Sequence, residues 1–571
     1  MKKLSGTIFD GDSRAESRGA ETWPREHISV ALVMVALWMV AAVPQPVGAA
    51  TRGKAQGPSH LLSDPVRTAD GLVSGVPGKL DGVVAFKGIP FGAPPIGELR
   101  WRPPQPVVAW SGVRPGDKFG PACIQPHQPQ REPNNRAVDL PDSPSVSEDC
   151  LYLNVWTPAA SARAKLPVMV WIYGGAYTEG AGSSPYNQGD TLAAKGVVVV
   201  TFNYRLGALG FLAHPELTEE SPHHASGNYA LADVLTALQW VQKNISGFGG
   251  DPRNVTIFGE SAGAAISAAL VGTPSAKGLF QRAICESGLW MGLNLAPMRP
   301  RESAEQQTMK VATDLGAPHL ADLRKLSADD AANKLPKQGM IIDGWLIPED
   351  LTRTFAEGRQ NAVDILAGSN RDEGSFAAGF GPPMTVERWK SGAEQRWGGA
   401  AALGLEAYPA ADDAQAAANN TRIFADNMAW ITRFYAARQR AIGRRAYVYL
   451  FVHEPPYAEG ARNLGVCHTC ELPYVFDNLG TLRLYPDSSS PERALASATD
   501  VKLASITSAY WINFAKTGDP NGNGLPKWPL FKDVNNGPVM HLDEKPVVAE
   551  SLGPTKLKLY QALYDRQFGR H

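Results

Sequence analysis

The sequence predicts an α/β fold: a large, mostly parallel central sheet flanked by helices, with an antiparallel strand region at its N-terminal side. Three observations carry that expectation. Short apolar runs recur from Val168 to Phe451, filled at nearly every position, as strands covered on both faces are. Between two of them, Tyr229 to Asn244 places Leu231, Val234, Leu235, Leu238 and Val241 at helical spacing, where a crossover belongs. A third run, Val255 to Phe258, stops at Gly259-Glu-Ser-Ala-Gly263 and continues as helix-favouring Ala262 to Leu270. The 571 residues are 44% hydrophobic and 19% charged, an ordinary globular composition with ample length for a large core. No linker interrupts the chain after residue 60, so residues 51–571 read as one domain.

Taken in order, the chain begins with an export pattern. Ile28 to Val43 is apolar except for Ser29, follows Arg25, and runs into Pro44-Gln-Pro-Val-Gly-Ala-Ala50. Residues 1–50 therefore read as a signal peptide behind a long polar leader, cut after Ala49 or Ala50, with an apolar run short for a membrane span. This predicts a periplasmic or secreted protein; an uncleaved anchor and a start downstream of Met1 are the other readings. Val83 to Trp101 is a strand pattern running into a Pro/Gly-rich loop, and Leu151 to Trp156 alternates as a half-buried strand does. The filled strands are Val168–Tyr173, Val197–Phe202, Val255–Phe258, Arg282–Cys285, Val363–Ala367 and Ala446–Phe451. The Ala-rich stretch from Ala400 to Ala418 reads as helix broken at Pro409.

A formal net charge of −1 gives no electrostatic basis for binding nucleic acid or an anionic membrane. No stable membrane partner is expected. Five cysteines suit an exported chain. Cys123 and Cys150 bracket a Pro-rich polar loop that a disulfide would restrain, by about 3 kcal/mol in the chain-entropy model. Cys285, inside an apolar run, reads as a buried thiol. Asn-x-Ser/Thr triplets at Asn244, Asn254 and Asn419 read as chance matches, Asn254 because it adjoins a core strand.

Strand, sharp turn and helix are the context that gives Gly-x-Ser-x-Gly a meaning. The turn strains the serine, lifts its hydroxyl off the strand tip, and sets the N–H of Ala262 beside it at a helix N-terminus. The pentapeptide alone is a weak signal. Beside it stand Phe86-Lys-Gly-Ile-Pro-Phe-Gly-Ala-Pro-Pro95, Ser147-Glu-Asp-Cys-Leu-Tyr-Leu-Asn154, Asn203-Tyr-Arg-Leu-Gly-Ala-Leu-Gly-Phe211, Phe248-Gly-Gly-Asp-Pro252 and Phe514-Ala-Lys-Thr-Gly-Asp-Pro-Asn521. With these the chain resembles a type-B carboxylesterase, of the cholinesterase-like branch of the α/β-hydrolases and of the bacterial exported kind, over nearly all its mature length. The resemblance implies that fold and a serine esterase without cofactor or metal.

A serine hydroxyl needs a base to take its proton during attack. Of eleven histidines, His127, His223, His224 and His319 sit in polar stretches and carry no argument. His468, in Gly465-Val-Cys-His-Thr-Cys-Glu-Leu-Pro-Tyr-Val-Phe476, resembles the family's histidine loop. The base needs an acid to hold its tautomer. Gly368-Ser-Asn-Arg-Asp-Glu-Gly-Ser-Phe376 follows a strand, and the resemblance puts the acid at Glu373 rather than Asp372; a plain ion pair of Glu373 with Arg371 is the structural alternative. The order Ser261, Glu373, His468 is that of α/β-hydrolase triads.

For an oxyanion, the match implies backbone donors at Gly175 and Ala176, in Trp171-Ile-Tyr-Gly-Gly-Ala-Tyr177, together with Ala262. Ala176 stands where the family more often has a third glycine. Glu260 is expected beside the histidine in a supporting role, favouring the imidazolium. Trp290 and Met291 for the acyl pocket, and Phe376 and Phe380 for the gorge, are candidate lining residues, though each reads more often as core.

Cys467-His-Thr-Cys470 departs from the family. A metal there would need further ligands and would occupy the base, so a short-loop disulfide is expected, with two thiols as the alternative. Relatives that take choline esters place a tryptophan between the first two cysteines; Cys123 to Cys150 holds no Trp, Tyr or Phe, so choline esters are not expected. The expected substrate is a small or medium carboxylic ester, or an ester side chain on a bulky natural product or xenobiotic, as some bacterial relatives treat mycotoxins. A lipase acting at interfaces and a silent binding module of the same fold are the alternatives.

Overall fold

The apolar runs line up side by side in one mixed sheet. The structure is a computed structural model that describes residues 62, 64–126, 145–291, 295, 298–375, 382–480 and 495–569. The expected signal peptide, residues 1–50, lies outside them. In chain order the main sheet takes β1 (Val76–Pro77), β2 (Val84–Pro90), β3 (Tyr152–Thr157), β4 (Leu166–Ile172), β5 (Val198–Phe202) and β6 (Gly250–Glu260). It continues with β7 (Arg282–Glu286), β8 (Asp364–Asn370), β9 (Ala446–Phe451), β10 (Val539–Leu542) and β11 (Val547–Ala549). Their spatial order is β11-β10-β9-β8-β7-β6-β4-β5-β3-β2-β1.

From β10 across to β5 every neighbouring pair is parallel; the antiparallel pairs are β5–β3, β3–β2 and β2–β1 at one side and β10–β11 at the other. This is the expected α/β-hydrolase architecture, including the antiparallel N-terminal region. β5, β8 and β9 are buried at every residue, which is why their sequences lack alternation. Each buried Val or Ile in them contributes roughly 1.5–3 kcal/mol of apolar transfer free energy.

The helix expected between β5 and β6 is α1, Tyr229–Asn244, with Leu231, Val234, Leu235, Leu238 and Val241 all buried. It carries the chain from β5, on one side of β4, to β6 on the other. The strand order therefore reverses at β4, and open α/β sheets place their ligand crevices at such a reversal, outside the strand C-termini. Helix α2 (Ala262–Gly272) leaves β6 directly. α3 (Asp413–Ala441) packs on β8 and β9, after the break expected around Pro409, and is capped by Asp412. α4 (Ala498–Thr517) starts in a capping box of Ser497 and Asp500.

Several strands run past their expected ends. β6 reaches from Gly250 to Glu260 and β8 from Asp364 to Asn370. Pairing with neighbours on both sides prolongs them through Gly, Ser and Asn that the residues alone would not mark as strand. The Cys123–Cys150 disulfide is formed, with Cα atoms 5.0 Å apart. Cys285 is fully buried, and burial pushes its thiol up to about 12, which keeps it unreactive. Among the described residues no helix is long and apolar enough to cross a membrane.

Candidate active site

β6 ends at Glu260, and the next residue reverses the chain into α2. Ser261 has φ 53° and ψ −123°, in a region an L-residue enters only when its surroundings compel it. Two contacts supply the compulsion. The Ser261 N–H donates to the carbonyl oxygen of Glu286 at the end of β7 (2.8 Å), and the Ala265 N–H donates to the Ser261 carbonyl (3.0 Å). The helix can lie this close to β4 because residue 263 is glycine: a Cβ there would stand 1.9 Å from the carbonyl oxygen of Ile172.

The hydroxyl so presented meets an imidazole. Ser261 Oγ lies 2.9 Å from His468 Nε2, and His468 Nδ1 lies 2.6 Å from Glu373 Oε2. The three residues come from three separate segments, and the structure joins them in one unbroken line. Glu373 is wholly buried, and its other oxygen accepts from the Asn370 N–H (2.7 Å). Asp372, next to it, turns away: it pairs with Arg371 and accepts from the Val466 N–H. The ion pair of Glu373 with Arg371 is not made; Arg371 bridges Asp372 and Glu454 instead.

Glu260 stands where it was expected, with Oε1 3.2 Å from His468 Nε2. Burial pushes this carboxyl well above the usual carboxylate range. Burial works in the opposite sense on the imidazole, but the charges of Glu260 and Glu373 outweigh it and push His468 up. The two groups thus compete for one proton and titrate as a pair.

Beside the serine runs the turn after β4. Gly174 abuts the tip of β6, since a Cβ on it would lie 2.9 Å from Ser261 Cβ and 2.7 Å from Glu260 Oε2. Gly175 (φ 110°), Ala176 (φ 51°) and Tyr177 (φ 63°) are all left-handed, a path that turns successive peptide groups the same way. Ala262, as the first residue of α2, has an N–H with no acceptor within its own helix. Met291 is half-buried against the main core, which favours the core reading for it. Phe376, Phe380 and the side chain of Trp290 lie outside the described residues.

The loop bearing His468 corrects one expectation. Cys467 and Cys470 are buried thiols and not the expected bridge. The stiffness that bridge would give comes from hydrogen bonds: Cys470 N–H to the Cys467 carbonyl (3.2 Å), Tyr457 Oη to the Gly465 carbonyl (2.6 Å), and Asn370 Nδ2 to the Cys467 carbonyl (2.8 Å). Sequence reasoning also missed a buried polar group behind the imidazole. Glu471 accepts from Ser287 Oγ (3.1 Å) and Asn370 Nδ2 (2.5 Å), while Glu286 accepts from Trp511 Nε1 (2.8 Å). A signal existed, for Glu471 and Glu286 are lone carboxylates in otherwise apolar or small-residue stretches. Among the described residues no three His, Cys, Asp or Glu side chains gather as metal ligands would. A small cavity beside the Cys123–Cys150 disulfide, lined in part by Trp101, Ile124 and Leu209, is separate from this line of residues.

The sequence profile of the carboxylesterase family matches residues 63–560. The chain belongs to the carboxylesterase family. As a member it is a carboxylic ester hydrolase of α/β-hydrolase fold. Among its carboxylesterase relatives, a fumonisin B1 esterase of Sphingopyxis macrogoltabida is 38% identical, over 86% of this chain and 89% of that one. A para-nitrobenzyl esterase of Bacillus subtilis is 36% identical, over 79% and 90%. A solved thermophilic PNB esterase superposes with TM-score 0.73 at 32% identity, covering 87% of this chain and 99% of its own.

Proposed function

We propose that this carboxylesterase works through a covalent acyl-enzyme, with Ser261 as nucleophile, His468 as general base and acid, and Glu373 as the carboxylate that orients the imidazole. The observation that carries the reading is the unbroken line Ser261 Oγ–His468 Nε2 (2.9 Å) and His468 Nδ1–Glu373 Oε2 (2.6 Å). In the first half-reaction His468 takes the hydroxyl proton as Ser261 attacks the ester carbonyl. The tetrahedral oxyanion is received by the N–H groups of Gly175, Ala176 and Ala262. Collapse expels the alcohol, which takes the proton from His468. Water repeats the sequence on the acyl-enzyme and releases the acid.

Glu260 supports the cycle by holding positive charge on His468 while the intermediates form. The likeness to a fumonisin B1 esterase supports an ester borne on a bulky molecule as substrate, and the disulfide supports an exported protein.

Steady-state hydrolysis of p-nitrophenyl esters from acetate to palmitate, with wild type and Ser261→Ala side by side, tests the reading. Turnover on short chains that falls by about 10⁴-fold or more in Ser261→Ala is the expected result. An undiminished rate in the variant would overturn the assignment of the nucleophile, and a long-chain optimum that needs micelles would make the protein a lipase.

A further inference from the structure

Asn370 closes β8, three residues before Glu373, and is wholly buried. Its main chain and its side chain serve different loops. The backbone N–H donates to Glu373 Oε1 (2.7 Å), which leaves Oε2 to face His468. The side-chain amide nitrogen donates twice, to the carbonyl oxygen of Cys467 (2.8 Å) and to Glu471 Oε2 (2.5 Å). Both partners are acceptors, so the amide can sit only with its nitrogen toward them. Cys467 immediately precedes His468, and Glu471 follows it by three residues. One residue thus grips the histidine loop on both sides of the imidazole while its own main chain grips the acid. Ser287 Oγ holds the remaining oxygen of Glu471 (3.1 Å) and ties the group to the end of β7, where the Glu286 carbonyl already holds the Ser261 N–H.

The grip has something to resist. Thr469, directly after the base, is left-handed at φ 71°. That conformation is strained for a β-branched residue, so an untethered loop would relax away from it. A shift of about 1 Å in a reacting group lowers rate by roughly 10²-fold.

We propose that Asn370 is a positioning residue for ester hydrolysis, a brace that sets the imidazole of His468 between Glu373 and Ser261 by clasping the histidine loop to the acid's strand. The inference rests on the assignment of Ser261, His468 and Glu373 made above. Asn370 touches no substrate and acts only through the base and the acid.

Three variants and two readouts test it. Asn370→Asp keeps the shape but turns an acceptor toward a carbonyl and a carboxylate; Asn370→Ala removes the clasp; Asn370→Ser keeps one shorter donor. The expected result in the folded variants is a fall in kcat of about 10–10²-fold on p-nitrophenyl acetate with KM little changed. The far-downfield proton resonance of His468 Nδ1–H against Glu373, present in wild type, broadens or disappears along with it. Should Asn370→Asp and Asn370→Ala fail to fold, Asn370→Ser decides the matter by the same two readouts. The proposal is overturned by wild-type kcat per folded molecule with the resonance intact. Ser261→Ala run in parallel separates the two failures. Surviving turnover in Ser261→Ala removes the triad itself, whereas a dead Ser261→Ala beside fully active Asn370 variants removes only the brace.

Discussion

Glu260 and Ser261 reach the same nitrogen of His468, at 3.2 and 2.9 Å, so the base has two partners for one lone pair. Which partner it serves depends on where a single proton resides. With Glu260 ionised the imidazole keeps the proton and cannot accept from the serine; with Glu260 neutral it can. In the proposed cycle the carboxylate both stabilises the intermediates and hinders the resting base. Glu260→Gln separates these effects. Removing a negative charge at this distance disfavours the imidazolium, so His468 loses its proton at lower pH. The acidic limb of the kcat/KM profile moves to lower pH by about one unit or more, with a lower kcat above it. A limb that stays in place, or moves up, would show that Glu260 does not govern the base. Both residues were legible in the sequence, because Glu260 adjoins Ser261 in Gly-Glu-Ser-Ala-Gly and His468 sits in a recognisable loop. Asn370 was not: as one polar residue in Gly-Ser-Asn-Arg-Asp-Glu it gives no sign that its amide reaches the residues on either side of His468.

At the scale of single elements, β4 and the turn behind it decide how the serine is served. The strand order reverses at β4, and its C-terminal turn lies against the tip of β6 because Gly174 and Gly263 have no side chains to hold the backbones apart. Ala176 and Tyr177 are the exceptions in that turn, residues with a Cβ held at φ 51° and 63°. A left-handed alanine costs about 1 kcal/mol relative to glycine. Ala176→Gly is therefore expected to raise stability by roughly 0.5–1 kcal/mol, read as a higher midpoint in urea. The backbone N–H is kept, so activity on p-nitrophenyl acetate should stay within a few-fold of wild type. A destabilised Ala176→Gly would mean that the methyl group packs in a way that outweighs the backbone strain. The sequence marked this turn by its glycines, but not that alanine would share the glycine conformation. Strand ends were misplaced for a related reason: β8 extends to Asn370 only because β9 pairs with it there.

Across the whole molecule, the C-terminal ends of β6, β7 and β8 stand in register, with Glu260 opposite Glu286 and Glu286 opposite Gly368. Around that alignment four buried carboxyl groups gather, Glu260, Glu286, Glu373 and Glu471. Burial, followed by the charge of Glu373, pushes Glu471 up to about 7 from an ordinary 4.5. Glu260 and Glu286 are raised in the same sense by burial. The folded state therefore binds protons that the unfolded chain has released. Its stability contribution is complete below about pH 4.5 and is lost as pH rises through 7. The melting temperature should fall between pH 5 and about pH 8, and Glu471→Gln should flatten that fall, since its amide can accept from Asn370 and donate to Ser287; an equal slope in the variant would place the titration elsewhere. By itself the sequence determined the architecture and the first disulfide, and it singled out Ser261, His468 and Glu373 for the roles proposed above. Each of those is written in a local pattern, such as a filled strand, a strained turn or a motif of fixed spacing. Only the tertiary structure decided the rest: the lack of a Cys467–Cys470 bridge, the clasp of Asn370, and the contact of Glu260 with His468 Nε2. The clasp joins residues 97 and 101 positions apart and the Glu260–His468 contact spans still more of the chain, so packing of the sheet, not local spacing, fixes them.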